Sequence, residues 1–384
     1  MAEKNNSYMI DVAKDSTYLN QSDEYRKSYA EWRADPDNVY GYQFVHDMRE
    51  HSYIDGKGYV PHLAEVAESL SLVKCCSLMG VSFLLMFLVD LAWHFFSLAF
   101  TSDNGGFYIY KSQIDNPTSL SFVQILVGGT VVLVRYLLPA LIFAKVTGIP
   151  KKVVFPKSRR RYDLIGHAVI IMLLIMVMGR IITMFTSHVY GLIKVDTLYS
   201  VLYFSREPAG IAAAFFFNCI AIPIVQEILF RGVLLQTFRQ FGDFFAVLTT
   251  SFLGALCFYD LTYYGQVSIC FIVLGVVTVR TGSIYAPIIM SVVSHTVNFI
   301  LSYLELFKVS QADLIEKLVI AVILGVSIMG YNTLMNEKHK IMTVTQAKSG
   351  MRMVKKVQVL ISTMSIALWI SASLIMTFIV MRML

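Results

Sequence analysis

Two stretches of this sequence hold chemically capable side chains at helical spacing. In Gln226-Glu227-Ile228-Leu229-Phe230-Arg231-Gly232, Glu227 and Arg231 stand four residues apart, on one face of a helix, where carboxylate and guanidinium can pair. Such pairing keeps a carboxylate ionised and able to orient water or a backbone group. Pro223 just upstream removes a helical donor and favours a bend. Further on, Ser294, His295 and Asn298 follow Ser291 at spacings of 3, 4 and 7 residues, one stripe of hydroxyl, imidazole and amide. Facing Glu227, the stripe would complete a buried reactive site. Facing only its neighbours, it would be a hydrogen-bonded seam between helices. The residues alone leave both open. A second polar set lies earlier: Asp90 and His94 at i, i+4, then Arg135 and Arg180. Asp90–His94 suits proton handling or an inter-helix hydrogen bond. The whole set would also suit a transporter, but no inverted repeat or matching pair of Gly/Pro-broken helices is visible.

The elements that must hold these groups are apolar helices. The chain has 384 residues, 56% hydrophobic and only 15% charged, with mean hydropathy +0.61. Soluble domains carry roughly 25% charged residues, so a water-soluble surface of this size is excluded. Apolar runs near the ~20 residues needed to cross a bilayer recur along the chain. They predict an all-α polytopic bundle of about nine spans (eight possible): 77–100, 119–144, 164–187, 208–229, 244–260, 266–279, 284–303, 314–335 and 357–381. The fifth and sixth are short and read as tilted helices joined by a tight turn. Residues 1–72 form a polar, tyrosine-rich cytosolic tail with candidate amphipathic helices at 23–33 and 61–73, and 73–384 form the bundle. No apolar targeting segment opens the chain.

Charge orients the bundle. Lys145, Lys151, Lys152, Lys157, Arg159, Arg160 and Arg161 crowd one loop, and Lys338, Lys340, Lys348, Arg352, Lys355 and Lys356 another. Loops 101–118 and 304–313 hold only Lys111 and Lys308. Positive-inside bias then places the N-terminus in the cytosol and the C-terminus outside, in a multi-pass cell-membrane protein. The lipid bilayer is the expected partner, with basic loops against anionic headgroups; a basic cluster flanking a span argues against nucleic acid. The five cysteines lie in apolar segments without ligand or disulfide spacing. No cofactor is expected. Glu227, Asp260 and His295 are a conceivable zinc set, but no metal-ligand spacing supports it and no metal is expected.

Residues 208–303 resemble the CPBP family (Abi, or type II CAAX prenyl endopeptidases), intramembrane proteases that include bacteriocin-immunity-type proteins. Three pieces carry the resemblance: Gln226 to Gly232, close to the family's E-E-x-x-x-R-G; Val279-Arg280-Thr281-Gly282-Ser283-Ile284-Tyr285-Ala286-Pro287-Ile288, close to R-T-G-S-L-W-A-P-I; and the polar stripe beyond it. The resemblance implies a site in which the first glutamate activates water, two histidines assist, and an asparagine donates to the oxyanion. This sequence departs from that pattern. Gln226 stands where the family has its first glutamate, and a neutral amide accepts no proton. Glu227 and Arg231 keep the second glutamate and the arginine. The second motif, F-x-x-x-H, finds Phe258 or Asp260 where histidine belongs. The third, H-x-x-x-N, falls on Ser291 and His295, or shifted on His295 and Asn298.

The candidate site is therefore Gln226, Glu227, Arg231, Asp260, Ser291, His295 and Asn298. The reading that follows is a CPBP-like membrane protein with a degenerate endopeptidase site, serving in binding, scaffolding or immunity. The alternative is an active, glutamate-dependent hydrolase with Glu227 as base and Asp260 and His295 as partners. A membrane-embedded or prenylated peptide or protein is the implied partner of either.

Overall fold

A computed structural model describes residues 52–54, 58–60, 63–100, 120–156, 169–179, 205–259, 261–306, 311–336 and 351–382, with Gly166 and Phe185 as isolated positions. Strands β1 (Ser52–Ile54) and β2 (Gly58–Val60) pair as a short antiparallel hairpin. All other regular structure described is helical: α1 (Leu63–Phe100), α2 (Phe122–Thr147), α3 (Val169–Gly179), α4 (Pro208–Phe241), α5 (Asp243–Ala255), α6 (Leu261–Thr281), α7 (Tyr285–Leu306), α8 (Ala312–Asn336), α9 (Met353–Ser362) and α10 (Met364–Arg382). Seven of the nine apolar runs read from the sequence fall on one helix each, the third is described only over 169–179 and at two isolated positions, and the ninth is divided between α9 and α10. Among the described residues, five helices are long and apolar enough to cross a membrane, and six if α9 and α10, bent by 71°, count as one. Helices α3, α5 and α8 contribute shorter apolar stretches. The chain is a polytopic helical membrane protein; the finer count of about nine spans is not carried by these lengths. Helix α1 begins at Leu63, so it takes in the second predicted amphipathic segment and runs unbroken past residue 73. The first such segment, 23–33, lies outside the described residues.

Local sequence sets the helix ends. Ser121 caps α2, its hydroxyl accepting from the Gln124 amide N–H while the Gln124 side chain accepts from the Ser121 N–H. At the far end Gly148 adopts φ 65°, the left-handed cap that a side chain would resist. Large apolar side chains on α2, among them Val123 and Leu141, point away from the protein. Such a face suits hydrocarbon rather than water.

Helix α4 lies at the centre. It packs against α2 on one side and α7 on the other, while α5 packs on α6, and α10 and α2 on α1. One apolar core joins Phe83 of α1, Tyr136 and Phe143 of α2, Phe230 of α4, Phe271 of α6 and Trp369 of α10. Gly80 lets α1 and α10 meet: a Cβ there would sit 2.5 Å from the Ser365 hydroxyl and 2.6 Å from the Ile366 nitrogen. The tight turn expected between the fifth and sixth runs lies earlier than their bounds placed it, as a 3-10 turn, Leu256–Phe258, followed by Tyr259 at φ 54°, and 261–265 belong to α6.

Candidate functional site

The residues of interest on α4 sit in an irregular stretch. Two π-helical segments, Phe216–Ala221 and Ile228–Leu234, flank a short α-helical piece, Ile222–Glu227. A π turn carries an extra residue, pulls backbone groups out of register, and is found frequently at functional sites. Pro223 opens the α-helical piece. Its missing N–H falls where the helical ladder changes from one pitch to the other.

Glu227 looks toward α6 and α7. Arg231 meets it twice, Nη1 at 3.3 Å from Oε1 and Nε at 3.3 Å from Oε2. The remaining guanidinium nitrogen donates to the Phe271 carbonyl at 3.2 Å, and the guanidinium stands 4.1 Å from the Phe271 ring centre. The Ser291 hydroxyl of α7 lies beside the Glu227 carboxylate. Glu227 is 1% exposed and Arg231 2%. A carboxylate so buried is sustained by its partners. One oxygen, Oε1, accepts from Arg231, while Oε2 faces the guanidinium without a hydrogen bond.

Gln226 is one residue away and therefore about 100° round the helix. It faces α2, where its Nε2 donates to the Tyr136 hydroxyl at 2.9 Å. The same hydroxyl accepts from Arg135 Nη1 at 3.1 Å. Arg135 Nε lies 2.9 Å from Asp90 of α1, and another of its nitrogens donates to the Cys257 carbonyl. Tyr259 donates to Asp90 at 3.1 Å from its left-handed backbone position. Non-glycine residues at positive φ are uncommon and, where strained, need support from their surroundings. Tyr259 is held through its hydroxyl. The result is a continuous polar network through α1, α2, α4 and the turn after α5.

His295 goes elsewhere. Its side chain lies beside the backbone at Asn218, inside the first π segment, and its carbonyl receives the Cys219 thiol at 3.9 Å. Asn298 lies one turn further along α7 and has interactions of its own. Of the predicted site residues, Glu227, Arg231 and Ser291 come together, Gln226 turns to the front helices, and His295 joins the π turn. Asp260, Arg180 and the His94 side chain lie outside the described residues. Asp90 pairs with Arg135 of the next helix. Tyr136 and Tyr259 were not singled out by sequence; only the adjacency of Tyr136 to Arg135 inside an apolar run hinted at a polar tip needing a partner. Among the described residues no group of three or more His, Cys, Asp or Glu is gathered as a metal would require.

The Arg280-to-Ile288 run has a structural explanation. Gly282 ends α6 at φ 59°, its N–H donating to the Thr278 carbonyl. The Ser283 hydroxyl accepts from the Tyr285 N–H and opens α7, and Pro287 sits in the first turn, where its missing donor costs nothing. Gly232 does similar work: a Cβ there would meet Ile284 and the Val154 carbonyl, each at 3.0 Å. Two of the three pieces that carry the resemblance thus fix one geometry, α4 against the α6–α7 turn. Residues 208–297 match the family model for type II CAAX prenyl endopeptidase Rce1-like proteins. The match covers about a quarter of the chain, and over that segment the chain is similar to the CPBP family. No curated protein and no solved structure matches significantly. The matched CPBP segment covers α4 to most of α7 and stops short of Asn298. Asp90, Arg135 and Tyr136, which hold Gln226, come from helices outside it.

Proposed function

We propose that this protein is a non-hydrolytic CPBP-fold membrane protein, which binds a membrane-embedded or prenylated peptide or protein segment as a scaffold or immunity-type component. The observation that carries this reading is the Gln226 amide. At the position where the family places its water-activating glutamate, this side chain donates a hydrogen bond to Tyr136. A neutral amide takes no proton from water, and general-base assistance is typically worth about 10²–10⁴-fold in rate. Glu227 does not replace it readily: Arg231 and Ser291 hold it on a different face. In this reading the chain lies in the cell membrane with the N-terminal tail, residues 1–72, in the cytosol and the C-terminus outside, as the basic loops favour.

The contact between Ser291 and Glu227 favours one other reading, hydrolysis with Glu227 as base and Ser291 orienting it. Protein reconstituted in liposomes, given a farnesylated peptide and a panel of membrane peptides, separates the two. The expected result is no cleavage product from the wild-type protein. Product that disappears in both Glu227→Gln and His295→Ala would overturn the non-hydrolytic reading.

A further inference from the structure

Tyr136 has an unusual hydrogen-bonding position. A phenol oxygen has two lone pairs and one proton. The Gln226 amide donates to it at 2.9 Å and the Arg135 guanidinium at 3.1 Å, so both lone pairs are engaged and the proton must be given in a third direction. A cation donating to a hydroxyl draws charge from it and makes its O–H a stronger donor. Arg135 is in turn fixed by Asp90 and by the Cys257 carbonyl, and Asp90 by Tyr259. Beside the phenol, the Gln226 amide has spent one N–H on Tyr136 and keeps its carbonyl oxygen as an acceptor. A donor and an acceptor side by side, in apolar surroundings, match the C=O and N–H of a peptide backbone.

We infer that Tyr136 and Gln226 form a backbone-recognition pair, in which the Tyr136 hydroxyl donates to a peptide carbonyl of the bound segment and Gln226 accepts from a peptide N–H. Asp90, Arg135 and Tyr259 are positioning residues behind it. The inference rests on the binding reading above and names the groups that do the binding. Tyr136 is only 1% exposed, so a ligand reaches it by parting α2 from α4. Helix α2 lacks one backbone hydrogen bond at that level, since Pro139 supplies no N–H for the Arg135 carbonyl four residues back. The segment recognised must itself offer free backbone groups, as an extended or locally unwound chain does and a regular helix does not.

The test uses the full-length protein in detergent and a farnesylated peptide with an isotope-labelled backbone carbonyl, followed by binding and by infrared spectroscopy. Wild type is expected to lower the stretching frequency of the bound carbonyl. Tyr136→Phe, which removes only the hydroxyl, should weaken binding about tenfold and restore the higher frequency. Tyr136→3-fluorotyrosine, a stronger donor of nearly the same shape, should bind more tightly. Arg135→Lys should fall between wild type and Tyr136→Phe. Tyr264→Phe, which loses a peripheral bond to the Phe252 carbonyl, should change nothing. If wild type does not bind the peptide, the binding reading falls and this inference with it. If wild type binds and Tyr136→Phe matches it in affinity and frequency, the inference alone falls. Should Tyr136→Phe misfold, equal binding by wild type and the 3-fluorotyrosine protein overturns it.

Discussion

Glu227 and Arg231 are each almost wholly enclosed, and their charges are compensated by one another and by few other groups. Removing one partner leaves a charge in apolar surroundings, a loss of about 3–5 kcal/mol, whereas removing both leaves none. Arg231→Met is therefore expected to lower stability by about that amount, and Glu227→Leu with Arg231→Met by much less than the two single changes combined. Unfolding in mixed micelles measures both. Cooperative restoration in the double variant is the signature; additive losses would show that the two residues act independently. This pair was legible in the sequence because four-residue spacing places two side chains together without any knowledge of the fold. The Gln226–Tyr136 bond was not, because its partners are 90 residues apart and only the packing of α2 on α4 brings them together. His295 shows the same limit: its spacing from Ser291 set the stripe, but not which part of α4 each member would meet.

Helix ends and turns were more legible than helix faces. The run from Thr281 to Pro287 spells its own geometry: a left-handed glycine, a serine cap and a proline where no donor is needed. Gly282 at φ 59° is the least replaceable of these. Gly282→Val should cost about 1–2 kcal/mol from the left-handed backbone alone, and Gly282→Asn clearly less, since asparagine tolerates that region. Thermal stability of the two variants in the same detergent decides it; equal losses would point to side-chain crowding instead. The paired π segments of α4 were not legible. Nothing in the local sequence marks Phe216–Ala221 or Ile228–Leu234 as wider than an α-helix apart from nearby Pro223, and tertiary contacts with α2, α6 and α7 set their pitch.

At the scale of the molecule, composition and apolar run lengths revealed a helical membrane bundle without any structural input. Lengths alone say less about the number of crossings, since α3, α5 and α8 are apolar but short in the described residues. Loop charge makes the sharper claim about sidedness. Lys340→Cys is expected to react with an impermeant thiol reagent only from the cytosolic side of sealed vesicles, and Lys308→Cys only from the other; the reverse pattern would invert the proposed orientation. The helices outside the matched segment, 208–297, also pack against it. The last helix, α10, is seated on the first, with Trp369 4.6 Å from Phe83 and Ile366 against Gly80, and Lys356 of α9 donates to the Phe241 carbonyl at the end of α4. A ribosome makes α1 first and α9 and α10 last. During synthesis the Gly80–Phe83 seat is therefore open to lipid and the end of α4 uncapped until nearly the whole chain has emerged. A chain cut short before Met353 would present that unfilled groove permanently, a mark by which membrane quality control can tell an unfinished copy from a finished one.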